Sequence, residues 1–182
     1  MSYCQFAEGR TENDVHFLYH RFQYGFPIQD DNELFGRLIL EINQAGLSWD
    51  TILKKQDHFR MAYAGFSIEK IAAFGQADVE QLLQNPGIIR NRLKILAAIH
   101  NANVVLELQN QFGSFRHWIE HHHPKSREEW TRLFKKTFKF TGGEIVNEFL
   151  MSTGYLPGAH TPDCPVYPAY KTSGAAIFRK QD

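Results

Sequence analysis

Residues 34–55 read LFGRLILEINQAGLSWDTILKK, and the predicted fold is built around this stretch. The apolar side chains of its first half recur at helical spacing: Leu34, Phe35, Leu38, Ile39 and Ile42. This spacing predicts a helix with one face toward a core. Ala45-Gly46 is typical of a helix end, and Ser48 is a suitable N-cap for a second helix that begins at Trp49.

Glu41 interrupts the apolar stripe at its edge, where a side chain is expected to be half-buried. Gln44 and Trp49 fall near it, at the predicted junction of the two helices. One interpretation is structural, with the carboxylate reaching solvent beside a core tryptophan. The other is functional, with an acid, an amide and an indole converging on a ligand.

Composition predicts one packed domain. The chain has 182 residues, 43% of them hydrophobic, with 15 phenylalanines and 7 tyrosines, which is enough for a sizeable core. No apolar run is long enough to span a membrane, and the start MSYCQFAEG resembles neither a signal nor a transit peptide, so we expect a soluble cytoplasmic protein. A formal net charge of zero argues against an avid, non-specific nucleic-acid binder.

The rest of the chain predicts an all-α fold, because no segment alternates like a strand for long. Helix starts are indicated at Asp30 or Asp31, Ser67, Asp78, Ser114, Ser126 and Thr141. The helix opened by Trp49 is expected to continue to about Tyr63. We expect one domain over residues 1–170, with a helical hairpin near residues 79–95, and a flexible tail over residues 171–182.

The hairpin is predicted from a tight Asn85-Pro86-Gly87 turn, with a long helix starting at Ile88 and ending before Gly113. Backbone N–H groups at a helix start can hold a phosphate, and Arg90, Arg92 and Lys94 flank this one. The alternative is an ordinary solvated helix face, which also applies to the basic clusters at residues 54–55 and 135–139.

Metal ligation is a further hypothesis. The only two cysteines are Cys4 and Cys164, and His160 precedes Cys164 at an H-x₃-C spacing that can chelate one ion. Cys4 and His20 are candidates for the two remaining ligands of a tetrahedral site. The alternative is two ordinary buried thiols. Three adjacent histidines at residues 121–123 cannot share one helical face, so they predict no joint metal site.

Several motifs together resemble the 3-methyladenine DNA glycosylase I family. The most specific are QAGLSW followed by ILKK at residues 44–55 and GIIRNRLKI at residues 87–95. Supporting pieces are Tyr19-His20, Tyr24-Gly25-Phe26-Pro27, Phe138-Lys139-Phe140 and His160 with Cys164. The resemblance covers nearly the whole chain, from Cys4 to about Pro168. It implies a helix-hairpin-helix DNA glycosylase fold and removal of 3-methyladenine from damaged double-stranded DNA, with no role at a membrane; nothing in the sequence indicates an oligomer, so we expect a monomer.

The resemblance also implies roles for individual residues. Glu41 would hydrogen-bond the flipped base and act in catalysis, Trp49 would stack on the base, and Tyr19 would line the pocket. The hairpin residues that would contact DNA are Gly87, Ile88, Arg90 and Arg92. A structural zinc ion would be held by Cys4, His20, His160 and Cys164.

The chemistry of the lesion fits this set, because a 3-methylated adenine in DNA is cationic and already a good leaving group. The protein must extrude the base, offer aromatic faces to a cation and supply a carboxylate. Glu41 could also stabilise the developing oxocarbenium sugar electrostatically.

Two departures from the family pattern fall in the base pocket. Tyr24 stands where the family usually has an indole, and Asn147-Glu148 stands where it usually has Tyr-Ser. Glu148 would place a second carboxylate near Glu41, which raises one pKa or requires a cation between the two. The departures leave three alternatives to excision of 3-methyladenine: a paralogue with altered base specificity, a lesion-binding paralogue without catalysis, and a zinc-stapled domain that binds another small purine.

Overall fold

The computed structural model describes residues 2–179, and every regular element within that range is helical. The α-helices are α1 (Tyr3–Glu8), α2 (Val15–Phe22), α3 (Asp31–Gln44), α4 (Trp49–Lys54), α5 (Gln56–Ala62), α6 (Ile68–Ala72), α7 (Gln76–Gln84), α8 (Arg92–Phe112), α9 (Phe115–His122), α10 (Arg127–Thr137), α11 (Gly143–Ser152) and α12 (Tyr167–Thr172). Short 3₁₀ helices span Ala64–Phe66 and Ala176–Phe178. None of these helices is both long and apolar enough to cross a membrane.

Helix α3 lies at the centre of the fold, in contact with α4, α5, α8, α9 and α11. Residues 34–43 are all buried, so α3 is covered on every side rather than along one stripe. Gly36 permits this, since a Cβ there would lie 2.4 Å from the ring of Phe66, which packs directly on the helix. Polar residues of α3 are therefore enclosed by the surrounding helices.

Local capping chemistry places most helix starts where the sequence predicts them. Asp30 accepts a hydrogen bond from the Glu33 backbone N–H at 3.0 Å. Serines cap α4, α6, α9 and α10 in the same way, and these are Ser48, Ser67, Ser114 and Ser126. Because a cap is made within one helical turn, sequence alone is enough to find it.

Four predicted boundaries differ from the structure. The helix expected over residues 49–63 breaks at Lys55 into α4 and α5. Asp78 is the third residue of α7, where its carboxylate accepts from the Gly75 N–H at 2.8 Å. The Thr141 hydroxyl instead donates to the Phe134 carbonyl at 3.1 Å, and Gly142 is the N-cap of α11, which begins at Gly143.

The fourth difference concerns the hairpin. Helix α8 begins at Arg92 with Asn91 as its N-cap, not at Ile88. The Asn85 side chain accepts from the Gly87 N–H at 2.8 Å, and the Ile88 side chain is buried in the core. These contacts hold residues 85–91 as an ordered non-helical connection between α7 and α8.

The end of the chain makes contacts with the domain. Residues 171–179 were predicted to begin a flexible tail, yet Ala175 is fully buried and the Ile177 N–H donates to the Gly154 carbonyl at 3.2 Å. The Phe178 ring packs against Tyr170, with 4.9 Å between ring centroids. Apolar contacts thus pack residues 171–179 against the domain, and the flexible tail stays a prediction. Residues 180–182 of that prediction lie outside the described residues.

Candidate active site

A cavity of about 260 Å³ lies where α1, α2, α3, α4 and α11 meet. Five predicted site residues line it, together with two others, and the full set is Tyr3, Tyr19, Tyr24, Glu41, Gln44, Trp49 and Glu148. The prediction that Glu41, Gln44 and Trp49 converge is confirmed. Tyr3 was not predicted, because only the folded chain places α1 beside α2.

Glu41 lies on the wall of this cavity formed by α3 and is only 3% exposed. The expectation of a half-buried carboxylate is wrong, because α11 packs on α3 and residues 34–43 of α3 are all buried. Burial raises the pKa of Glu41 to about 8, the Arg37 guanidinium opposes this rise, and Glu148 adds to it. With no cationic ligand in the cavity, burial outweighs the effect of Arg37 and favours the protonated form of Glu41.

Arg37 is the polar residue that sequence reasoning missed. It lies one helical turn before Glu41, is 6% exposed, and donates from Nη1 to the Tyr19 hydroxyl at 3.1 Å. Nη2 donates to Gln23 Oε1 at 3.4 Å. Within residues 2–179, Arg37 forms no ion pair. An arginine inside the apolar run LFGRLILE was the available signal, because buried arginines usually have an electrostatic role.

Aromatic rings form the rest of the wall. The ring centroids of Tyr19 and Trp49 lie 5.3 Å apart with their planes at 60°, and those of Tyr19 and Tyr24 lie 5.6 Å apart. Tyr3 contacts Tyr24 edge-on, with 5.1 Å between centroids. A cavity lined by aromatic rings suits a flat and positively charged ligand.

Glu148 reaches the same cavity from α11 and is partly buried. Asn147 Nδ2 lies 3.4 Å from its Oε1, a weak hydrogen bond. Burial is the main cause that raises the pKa of Glu148. The structure thus brings the second carboxylate into the pocket of Glu41, as the sequence predicts.

The predicted metal ligands also meet. Ligand atoms of Cys4, His20, His160 and Cys164 all lie within 4.8 Å of one another, and all four residues are buried. Cys164 Sγ lies 3.5 Å from His20 Nε2 and 3.6 Å from His160 Nδ1. Cys4 Sγ lies 3.8 Å from His160 Nδ1, which is 3.1 Å from His20 Nε2.

These spacings fit a tetrahedral ion. Bond lengths to zinc imply edges of about 3.3 Å between two nitrogens and about 3.5 Å between nitrogen and sulfur. His160 also directs its other nitrogen at an acceptor, as metal-bound histidines do, because Nε2 lies 2.7 Å from the Tyr24 carbonyl oxygen. His20 Nδ1 lies 3.2 Å from Glu8 Oε1, at an angle that does not make a hydrogen bond. Burial lowers the pKa of both histidines, which favours the neutral form that binds metals.

The predicted DNA-contacting residues occupy the connection before α8. Arg90 is exposed and has no ion-pair partner in the described part of the chain, whereas Arg92 Nη2 lies 2.6 Å from Glu80 Oε1. A Cβ on Gly87 would lie 2.9 Å from the His58 side chain, so only glycine fits this approach. Because the Ile88 side chain is buried, only the backbone of Ile88 is available at the surface.

Lys94 does not belong to that surface. Its side chain is buried, and Nζ donates to the Asn43 carbonyl at 2.9 Å and to the Ala45 carbonyl at 2.8 Å. A cation here satisfies carbonyls at the C-terminus of α3 and interacts favourably with the helix dipole. The hypothesis that Lys94 flanks a phosphate is therefore wrong, and its role is to hold α3 against α8.

Comparisons with known proteins agree with this geometry. A family model described as methyladenine glycosylase matches residues 10–132. DNA-3-methyladenine glycosylase 1 of Escherichia coli is 34% identical over 88% of this chain and 96% of its own length. DNA-3-methyladenine glycosylase of Haemophilus influenzae is 32% identical over 85% and 93%.

Solved structures are similar as well. A variant of 3-methyladenine DNA glycosylase I in complex with 3-methyladenine superposes with a TM-score of 0.80 at 30% identity, covering 91% of this chain and 97% of that one. The Staphylococcus aureus enzyme, studied for 3-methyladenine recognition, gives a TM-score of 0.77 at 31% identity and covers 86% and 93%.

Proposed function

The chain belongs to the methyladenine glycosylase family, and on that premise we propose that it hydrolyses the N-glycosidic bond of 3-methyladenine in DNA. The observation that carries this proposal is a buried acid, Glu41, facing an aromatic cavity of nucleobase size. A cavity inside the protein can take a base only after the nucleotide rotates out of the duplex, so base flipping is part of the proposal.

The proposed reaction balances without a redox partner. The bond between sugar C1′ and base N9 breaks, and both bonding electrons go to N9, which neutralises the cationic base. A water oxygen bonds to C1′ and releases one proton. Because the cationic base is a good leaving group, the residues of this chain mainly bind, orient and desolvate it.

We assign Glu41 the role of counter-charge. The raised pKa of Glu41 favours its protonated form in the empty cavity. A cationic base entering the cavity favours loss of the Glu41 proton, since an opposite charge stabilises the carboxylate. The ionised group can then accept hydrogen bonds from the base edge and stabilise positive charge that develops on the sugar. Arg37 keeps this ionisation accessible, because its positive charge opposes the effect of burial.

The other aromatic residues complete the base site. We assign Trp49 to stacking on the base, and Tyr19 to the side of the pocket. Tyr24 takes the place where the family usually has an indole, and it keeps a π-face there at smaller area.

Outside the pocket, we propose a structural zinc ion at the four buried ligands and a DNA contact at the connection before α8. That connection would act as the hairpin of a helix-hairpin-helix domain, with Arg90, Arg92 and the backbone of residues 87–88 toward phosphates. The single domain over residues 1–170, the monomeric state and a cytoplasmic location remain parts of the same proposal.

The test is release of free bases from methylated duplex DNA, separated by chromatography. We expect the wild type to release 3-methyladenine and Glu41→Gln to release at least tenfold less, roughly the loss of one strong electrostatic contact. Glu107→Gln, which removes an exposed acid on α8, should match the wild type.

Two other outcomes would overturn the proposal. A wild type that binds abasic-site DNA but releases no base would be a lesion-binding relative without excision. A wild type that binds neither methylated nor abasic DNA would be a helical domain for another small purine.

A further inference from the structure

The base pocket holds two carboxyl groups from different helices, Glu41 on α3 and Glu148 on α11. Neither belongs to an ion pair in residues 2–179, where nine such pairs occur elsewhere. One acid would suffice as counter-charge for a singly charged base. The second therefore needs its own explanation.

No other side chain of the pocket wall neutralises this pair. The remaining lining residues are aromatic rings and the amide of Gln44. Arg37 is a cation that acts on Glu41, but its side chain donates its hydrogen bonds to the Tyr19 hydroxyl and Gln23 Oε1. The Asn147 amide, 3.4 Å from Glu148 Oε1, solvates that carboxylate without neutralising it. The cavity wall thus carries two carboxyl groups and no cationic side chain, so a cationic ligand would favour the ionised form of both acids.

We propose that Glu148 makes the pocket discriminate bases by charge, so that it holds the cationic base of the lesion and retains the neutral base only weakly after cleavage. This inference rests on the proposed function, because the cation and the neutral base are its substrate and product forms. Ring, methyl group and donor pattern change little between the two forms. Charge is what differs, and a second carboxylate acts on charge most directly.

The consequence is a pocket that favours product release. A site with aromatic rings and one acid binds substrate and product through much the same stacking contacts. Adding a partly buried carboxylate strengthens binding of the cation. Binding of the neutral product gains little electrostatic free energy from that carboxylate, and it still includes the cost of removing water from the acid. Glu148 is therefore a specificity residue that contacts the base, distinct from Glu41 in that cleavage does not require it.

The test compares two free ligands of similar shape and different charge. Free 3-methyladenine is neutral at mildly alkaline pH, whereas 3,9-dimethyladeninium carries a fixed positive charge. The extra methyl group occupies the N9 position, where the substrate carries its sugar and the site must be open. Calorimetric titration of the purified protein at one ionic strength gives both dissociation constants.

We expect Glu148→Gln to weaken binding of 3,9-dimethyladeninium about tenfold, the effect of one pK unit of electrostatic interaction. Its affinity for 3-methyladenine should stay within about twofold or rise, because glutamine removes charge but keeps the shape. Glu148→Asp keeps the charge and should keep most of the preference. Glu107→Gln, an exposed charge removal on α8, should change neither constant.

Equal losses for both ligands in Glu148→Gln, or no loss for either, would overturn the inference. Thermal unfolding of each variant excludes misfolding, and should Glu148→Gln fail to fold, Glu148→Ser gives the same comparison. The measurement needs no excision. A wild type that releases no base from DNA yet binds the cation more tightly than the neutral base refutes the proposed function and leaves this inference standing. A wild type that releases the base but shows no preference for the cation supports the proposed function and refutes this inference.

Discussion

Glu41 shows how one buried side chain couples pocket chemistry to stability. In the folded protein its pKa is about 8, whereas in the unfolded chain it returns to the usual glutamate range. Between those values the folded protein holds a proton that the unfolded chain has released. Rising pH therefore stabilises the unfolded state relative to the folded state, and the free energy of unfolding falls until pH reaches about 8.

Glu41→Gln should remove this fall in stability with rising pH, because glutamine stays neutral in the folded and the unfolded state. We expect the variant to unfold like the wild type in acid and to be more stable by on the order of 5 kcal/mol above pH 8. Urea unfolding across a pH series measures the difference. Glu107→Gln, an exposed control on α8, should show no such trend, and a difference between Glu41→Gln and wild type that is constant with pH would contradict the assigned pKa.

Arg37 and Lys94 extend the argument to other buried charges. Each is a cation whose donors are used inside the protein, Arg37 on Tyr19 and Gln23, Lys94 on two carbonyls at the end of α3. Sequence periodicity cannot separate such residues from surface cations, because both occur among apolar neighbours in a helix. Their roles become visible only when the folded chain brings in their hydrogen-bond partners, which lie on other helices or at their ends.

At the scale of elements, capping residues predict well where a helix starts, whereas the apolar pattern of a helix predicts poorly how many of its sides other helices cover. Ser48 and Ser126 place α4 and α10 correctly, since a cap depends on residues three apart. The stripe on α3 predicts one buried face, but neighbouring helices cover all sides of residues 34–43. The depth of Glu41 follows from that enclosure, so no local pattern could have given it.

The connection before α8 shows the same limit. Apolar periodicity runs through Ile88 and Ile89, so the sequence predicts a helix there, yet the Asn85 turn and the Asn91 cap delay its start to Arg92. The delay exposes Arg90 outside the helix. Arg92 lies on the helix and pairs with Glu80.

The proposed DNA contact therefore depends more on Arg90 than on Arg92. We expect Arg90→Ala to weaken binding to duplex DNA equally across sequences, and to reduce the slope of log affinity against log salt by about one, because one phosphate contact is lost. Arg92→Ala should have a smaller effect, since its charge is partly offset by Glu80. Fluorescence anisotropy at several salt concentrations measures both slopes.

Lys171→Ala is the matched control, because Lys171 is an exposed cation on α12. Its slope should equal that of the wild type. If Arg90→Ala keeps the wild-type slope, the connection before α8 lies outside the DNA interface.

For the whole molecule, the metal-ligand cluster connects parts of the chain that are far apart in sequence. Cys4 and His20 come from α1 and α2, and His160 and Cys164 come from the segment between α11 and α12. Tyr24 joins this cluster to the base pocket, because its carbonyl accepts from His160 while its ring lines the cavity. The sequence could nominate the four ligands by type, but only folding brings them within reach of one ion.

A zinc ion shared by residues 4 and 164 would close nearly the whole chain into a loop and so reduce the entropy of the unfolded state. We expect Cys164→Ser to lower bound zinc from about one ion per chain to none, and to lower the unfolding midpoint. Val166→Ala is the packing control, since Val166 is buried in the same apolar cluster as Cys4 and Cys164 and ligates nothing. It should lose about 1–3 kcal/mol of stability while keeping its zinc.

Chelation separates the two causes of instability. Removing metal should destabilise the wild type and Val166→Ala but leave Cys164→Ser unchanged, because that variant has no ion to lose. Zinc retained at one equivalent by Cys164→Ser would refute the four-ligand site. The ion would orient one wall of the pocket through Tyr24 but supply no group to the base. Loss of the ion should therefore also weaken binding of 3-methyladenine. The factor should be smaller than the factor by which Glu41→Gln lowers base release.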